Sequence, residues 1–249
     1  MSMLVLSDVG HAYLGRTVLD RIALRIAGGE TVALVGPSGC GKSTLVHIAA
    51  DVVEPLRGRV SRGYARQGMV FQDPRLMPWA TALDNIAYPL RLAGVSRSER
   101  RDRAVAAAAR VSLAYEDLGK YPVELSGGMR QRTAIARALV LDPDFVYFDE
   151  PFTALDVALK RRMQDLVIEA SGDGSFGGVF VTHDLSEAAR VCDRILVLEV
   201  QGRGIAGERI VPGRPGSRAD REIFELMLHW VHDDPLFRHI HDVDERRVA

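Results

Sequence analysis

The stretch Gly36-Pro37-Ser38-Gly39-Cys40-Gly41-Lys42-Ser43-Thr44 constrains this chain more than any other. Its spacing, G-x-x-x-x-G-K-[ST], is that of a loop built to hold phosphates. Before it runs Thr31-Val32-Ala33-Leu34-Val35, a short apolar run bounded by Gly29 and Gly36. After it comes Leu45-Val46-His47-Ile48-Ala49-Ala50, which suits a helix. The motif therefore sits between strand and helix, the context it requires. Gly36, Gly39 and Gly41 let the backbone turn tightly and aim N–H groups inward. The helix starting near Lys42 adds its positive dipole end and its unpaired N–H groups. A polyphosphate fits that cup. Lys42 is positioned to reach the β- and γ-phosphates, and the Ser43 hydroxyl to ligate Mg²⁺.

Bulk properties narrow the class further. With 249 residues, 47% of them hydrophobic, the chain is long enough to bury a sizeable core. A net charge of −1 gives no reason to expect nucleic acid or an anionic membrane surface as a partner. No apolar run approaches the roughly 18 residues that a bilayer crossing needs. The segment Met1 to Asp8 lacks a basic start and a long apolar stretch, so no signal peptide is expected. There are two cysteines, Cys40 and Cys192. Cys40 belongs to the phosphate loop, so a structural disulfide is not expected, and a reducing cytosol fits.

Along the chain, residues 3–35 read as strands. Val5, Val9, Val18, Ile22, Leu24 and Ile26 are spaced by turns at Gly10, Gly15 and Gly28-Gly29. A helix from the phosphate loop to about Asp51 is closed by Pro55 and Gly58. Met69-Val70-Phe71 reads as a strand ending at Gln72. The following Asp73 to Trp79 holds two prolines and is irregular. Thr81 with Asp84, and Ser96 with Glu99, open two helices, the second running to about Val111. Leu125-Ser126-Gly127-Gly128 begins another. The continuous apolar runs Phe145–Phe148, Val179–Thr182 and Ile195–Leu198 suit strands buried on both faces. Between the first two, Met163, Leu166, Val167 and Ala170 mark a helix, and Ser171 to Gly178 a glycine-rich turn. Strands alternating with helices predict an α/β fold, with residues 82–140 as a mostly helical insertion.

Several polar residues fall at predicted carboxyl strand ends, where open α/β sheets bind ligands. Asp149 is placed to hold Mg²⁺. Glu150, one residue on, is a candidate to polarise a water. Gln72 has an amide able to touch both a metal ion and an attacking water. His183 closes its strand with an imidazole able to donate to a γ-phosphate oxygen. Ser126, Gly127 and Gly128, before an amphipathic helix, form a second anion cup. One nucleotide needs only one such cup, so the second is expected to serve the nucleotide of another copy.

These pieces, in this order, resemble the ATP-binding cassette ATPases over residues from about 3 to 212. Walker A falls at 36–44, the Q-loop at Gln72, the LSGG signature at 125–128, Walker B through Asp149-Glu150, the D-loop at Ala154-Leu155-Asp156 and the switch histidine at His183. The resemblance implies a P-loop NTPase, RecA-like core over 1–81 and 141–212. It also implies an antiparallel β subdomain and a helical signature subdomain over 82–140. Residues 213–249, beyond the resemblance, are expected to form a separate, partly helical tail. It implies ATP and Mg²⁺, the metal on Ser43, Gln72 and Asp149, and a head-to-tail dimer. ATP would lie between Walker A of one copy and the Ser126-Gly127-Gly128 cup of the other, with Asp156 at the same junction. Glu150 would be general base, assisted by Gln72, Lys42 and His183, and Tyr13 would stack on adenine. Arg130 and Thr153 depart from the commonest residues of the pattern, and neither is expected to touch the chemistry.

Phe71 to Trp79 is similar to the Q-loop of the nitrate/sulfonate/taurine importers. Leu76, Met77, Pro78 and Trp79 form an apolar patch for docking transmembrane permease subunits, with packing against the helical block as the alternative. An importer motor on the cytoplasmic face of the membrane follows, working indirectly with an extracytoplasmic solute-binding protein and with no nucleic acid. The alternatives are an exporter motor, a soluble cassette ATPase, or a small-molecule kinase. The tail carries His229, His232, His239 and His241 among Asp233, Asp234, Asp242 and Asp244. This reads as polar residues on a surface helix, with a metal or pH-sensing site as the alternative. The arginines from Arg97 to Arg103 read as a solvated helix face.

Overall fold

A computed structural model describes residues 2–171, 176–199 and 204–237. The chain forms two compact units, one from the residues up to Tyr64 with those from Ile168 onward, the other from Ala65–Val167.

The first unit begins with two long antiparallel strands, β1 (Ser2–Tyr13) and β2 (Arg16–Ala27). Leu14 and Gly15 join them, both at positive φ (48° and 78°), the twist a two-residue hairpin turn requires. Ile22, Leu24 and Ile26 are buried along β2, the inward face of a period-two strand, and Leu19 is buried beyond an irregularity at Arg21 (φ 52°) that resets the alternation. Next come β3 (Thr31–Val35), buried throughout, α1 (Lys42–Ala49) and β4 (Arg57–Arg62), which pairs antiparallel with β1. Two expected turns are not turns. Gly10 lies inside β1, and Gly58 lies inside β4 rather than ending the first helix. Gly58 is needed for a close crossing: a Cβ there would sit 2.4 Å from the Asp8 carbonyl oxygen.

The second unit runs β5 (Gln67–Val70), α2 (Ala82–Leu92), α3 (Arg97–Arg110), α4 (Gly127–Leu139), β6 (Phe145–Asp149) and most of α5 (Val157–Ser171), whose residues from Ile168 belong to the first unit. Thr81 and Ser96 cap α2 and α3 by accepting from the amides of Asp84 and Glu99, as their spacing predicts. β5 and β6 are parallel, and β6 is buried throughout. A Cβ on Gly68 would lie 2.5 Å from the Ala138 carbonyl oxygen, so this glycine lets α4 settle onto β5.

The chain then returns to the first unit with β7 (Gly177–Val181), α6 (Leu185–Val191), β8 (Arg194–Leu198), β9 (Ile205–Ile210) and α7 (Asp220–His232). Within that unit the order is β7-β3-β8-β9, parallel except for β9. Of the expected glycine-rich turn, residues 172–175 lie outside the described residues, and Gly177 and Gly178 belong to β7.

The segment after β9 is not wholly a polar surface. Ile223 and Trp230 of α7 are buried, and Trp230 stacks on buried Phe237 at 5.4 Å. Asp234, expected among surface acids, is buried and accepts two bonds from Arg209 of β9, at 2.6 and 2.8 Å. That hydrogen bond holds the Asp234 carboxyl below the usual range. His229 and His232 are exposed, while His239, His241, Asp242 and Asp244 lie outside the described residues. Among the described residues no cluster of three His, Cys, Asp or Glu side chains is arranged to hold a metal.

Candidate functional site

The phosphate loop of the first unit is drawn tight by its own glycines. Gly36 and Gly41 have φ of 154° and 100°. A Cβ on Gly36 would lie 2.9 Å from the Cys40 sulfur, and one on Gly41 2.8 Å from Leu19 Cδ2. Gly41 is also the N-cap of α1, and no side chain caps that helix start. A helix start capped by glycine presents its N–H groups without a capping side chain, which suits an anion. Lys42 folds back across the loop and donates from Nζ to the carbonyls of Gly36 (2.7 Å) and Pro37 (2.9 Å). Its third partner is the Cys40 sulfur at 3.9 Å. An ammonium held by carbonyl dipoles and a neutral thiol is ready to exchange them for phosphate oxygens, which form stronger charge-assisted bonds. The Cys40 thiol is pushed up by burial, against the pull of neighbouring Lys42, and stays a neutral packing group.

Register explains why His183 belongs with this loop. β3 and β7 are parallel neighbours with Leu34 opposite Val181. Gly36 and His183 each follow two residues later, so both leave the sheet at adjacent carboxyl ends. His183 is exposed, in a turn pinned by side chains. Thr182 Oγ1 donates to Glu187 Oε2 at 2.6 Å and accepts from the Asp184 amide, while Asp184 caps α6. Tyr13, half-exposed at the end of β1, is met edge-on by the His11 ring at 4.7 Å.

The second unit repeats the arrangement. Val70 of β5 lies opposite Phe148 of β6, so Gln72 and Glu150 also emerge two residues past paired positions. Their side chains meet: Gln72 Nε2 donates to Glu150 Oε2 at 3.3 Å. Asp149, the last residue of β6, is buried at 2% exposure. Ser126 is the N-cap of α4, accepting from the Met129 amide at 3.2 Å, with Gly127 and Gly128 in the first turn. Gly128 packs beside Ala154 and Leu155, which places the serine-glycine cup next to the turn after β6. Asp156 Oδ1 accepts from the Leu159 amide and caps α5.

A family model described as ABC transporter matches residues 19–153, over half of the chain. The chain belongs to the ABC transporter ATPases. It is 39% identical over 226 residues to an aliphatic sulfonates import ATP-binding protein, SsuB, of Mycobacterium avium (strain 104), covering 89% of each chain. It is 39% identical over 216 residues to a taurine import ATP-binding protein, TauB, of Yersinia pestis bv. Antiqua (strain Antiqua), covering 84% of each. Its fold matches the dimeric post-hydrolysis state of the ATP-binding cassette MJ0796 bound to ADP and Pi. The TM-score there is 0.79 at 32% identity, with 85% of this chain and 100% of that chain covered. As a member of this family the chain is an ATP hydrolase with an α/β, P-loop NTPase fold.

The cassette also shows contacts that motif spacing does not reveal. Asn85, fully buried, accepts from the Met77 amide (2.8 Å) and donates to the carbonyls of Met77, Ala80 and Thr81. Arg137 of α4 donates to the carbonyls of Pro74 (2.7 Å) and Arg75 (3.0 Å). Together they fix the irregular segment after Gln72. Burial holds the Arg137 guanidinium below its usual range, though arginine remains charged. Of the expected apolar patch, Trp79 is 77% exposed and Pro78 exposed, while Leu76 and Met77 are half-buried. A cavity of about 370 Å³ opens beside it, lined by Met77, Trp79, Asp84, Tyr88, Arg91 and Arg100. The two departures from the motif are not idle. Arg130 donates to the Leu125 carbonyl at 2.7 Å inside the signature, and Thr153 touches Glu150.

Proposed function

We propose that the chain is the ATP-hydrolysing motor subunit of an importer for sulfonate- or taurine-like solutes. Two copies would bind ATP head to tail, as the nucleotide-bound relative is dimeric. In each site the loop from Gly36 to Thr44, with Lys42, grips the phosphates, and Tyr13 stacks on the base. Ser126, Gly127, Gly128 and Asp156 of the second copy complete the site. Glu150 takes the proton of the attacking water, Gln72 orients that water, and His183 senses the γ-phosphate. The observation that carries the hydrolytic reading is the Gln72–Glu150 contact at paired strand ends.

The donors offered for a metal are the Ser43 hydroxyl, the Gln72 amide oxygen and the Asp149 carboxylate. All are hard oxygens, the set Mg²⁺ takes alongside phosphate and water. Bound there, Mg²⁺ would offset phosphate charge. Functionally the core spans 1–81 and 141–212, with a helical subdomain over 82–140 and a tail over 213–249. The importer assignment draws on the printed names of the relatives and on Trp79, an exposed aromatic suited to a transmembrane permease on the cytoplasmic face. An extracytoplasmic binding protein would supply the solute.

Glu150→Gln tests the hydrolytic reading. Phosphate release should fall at least about 100-fold while ATP still binds, since a general base contributes about 10²–10⁴ in rate. Near wild-type release would remove Glu150 from that role. Uptake of radiolabelled taurine or an alkanesulfonate by proteoliposomes, with permease and binding protein present, tests the importer reading. Stimulated hydrolysis without uptake would refute it.

A further inference from the structure

The turn after β6 holds its acid in an uncommon conformation. Glu150 has φ +46°, a left-handed value that costs a non-glycine residue about 1 kcal/mol or more. Such a residue persists only where neighbours over-determine it. Thr153 is one of those neighbours. Its Oγ1 donates to the Glu150 carbonyl oxygen at 3.2 Å, closing the turn from residue 150 to 153. The same hydroxyl lies 3.5 Å from Glu150 Oε2. Gln72 Nε2 reaches that same carboxylate oxygen from β5's end at 3.3 Å. One oxygen of the Glu150 carboxylate therefore has two donors within reach, one from its own turn and one from the neighbouring strand.

The residue type suits the task. A threonine is branched at Cβ and stiff at χ1, so its hydroxyl is held where the backbone puts it. One hydroxyl proton serves one acceptor at a time. The carbonyl is the nearer acceptor, and Oε2 is the second acceptor within its reach. The turn thus keeps a donor beside Oε2 whichever way the Gln72 amide faces.

We propose that Thr153 is a positioning residue for Glu150, fixing both the backbone and the carboxylate of the group that meets the attacking water. This rests on the reading of Glu150 as general base. A positioned hydrogen bond to a charged group, at about 1.5 kcal/mol, corresponds to roughly a tenfold change in rate.

The test is steady-state and single-turnover phosphate release from the full chain with MgATP. Thr153→Val keeps the shape and removes the hydroxyl, and the exposure of the site leaves room for either methyl. Its kcat should fall about tenfold, with KM for ATP within about twofold of wild type. Thr153→Ser should restore kcat to within about twofold. In a Glu150→Gln background, Thr153→Val should cost nothing further, because the group being positioned is gone. Thr153→Ala provides the same comparison should the valine chain melt early. Three results overturn the proposal: wild-type kcat in both hydroxyl-free variants, a loss confined to KM, or an undiminished loss in the Glu150→Gln background. The underlying reading fails separately. If Glu150→Gln itself turns over normally, the base assignment falls and this proposal falls with it. If Glu150→Gln is inactive while Thr153→Val is normal, only the role of Thr153 is refuted.

Discussion

Replacing Asn85 with alanine should uncouple the segment after the Q-loop from the rest of its unit without touching the chemistry. Asn85 is fully buried, and its amide is the only side chain bonding Met77 N, Met77 O, Ala80 O and Thr81 O among the described contacts. Two of the carbonyls keep other partners. Met77 O still accepts from the Ala80 amide at 3.1 Å, and Thr81 O from the residue-85 amide at 2.9 Å. The Met77 amide loses its Asn85 acceptor, at about 1–3 kcal/mol, and the small void adds to that. A total of about 2–4 kcal/mol follows. In a chain of this size each kcal/mol moves Tm by about 2–4 °C, so a fall of about 5–15 °C is expected. Asn85→Asp should be no better, since it keeps the acceptor but turns a carboxylate toward three carbonyls. Scanning calorimetry measures the shift, and phosphate release well below Tm should stay within about threefold of wild type. A Tm within 1 °C of wild type would show that the Asn85 network carries no such weight.

Lys42→Ala removes the ammonium that Gly36 and Pro37 now hold. ATP affinity by calorimetry should fall about 10–100-fold, the worth of a charge-assisted bond, and unchanged affinity would mean the loop is not the phosphate site. The Asp234–Arg209 pair makes a pH prediction. The Asp234 carboxyl sits below its usual value in the fold, so its stabilising contribution is complete above the unfolded pKa of about 3.9 and is lost as pH falls further. The stability gap between wild type and Asp234→Asn, from urea midpoints, should thus be constant from pH 5 to 7 and narrow below about pH 4. A gap that widens on acidification would contradict the assignment.

Much of this was legible in the sequence because the informative signals are local. The phosphate loop carries its own strand and helix as flanks, and the alternation in β2 and the apolar runs of β3, β6, β7 and β8 announce buried strands. The capping residues Thr81 and Ser96 were equally plain. What escaped lacks a local period. β4 reads Arg-Gly-Arg-Val-Ser-Arg, largely exposed, with Val60 as its one large apolar residue. Its place is set by pairing with β1, and Gly58 looked like a helix stop because a close backbone crossing and a turn both call for glycine. β9 alternates in burial but spends its middle positions on alanine and glycine. Arg137 and Asn85 act on partners chosen by the fold: Arg137 bonds carbonyls 62 and 63 positions away. Asp234 pairs with an arginine 25 positions earlier, which no reading of the acidic tail by itself could locate. Thr153 reads in the motif as a harmless departure from the common serine, whereas its hydroxyl meets Glu150 three residues back.

A mixing experiment addresses the shared reaction centre most directly. Lys42→Ala spoils the phosphate loop and Ser126→Arg spoils the signature cup, so each chain alone should release almost no phosphate. Combined in equal amounts, half the dimers pair one of each, and each such pair regains a single complete site. Phosphate release should therefore reappear on mixing, to no more than about a quarter of the wild-type rate for a two-fold dimer. Full activity in Ser126→Arg alone, or silence after mixing two folded, exchanging chains, would contradict a centre built from two copies.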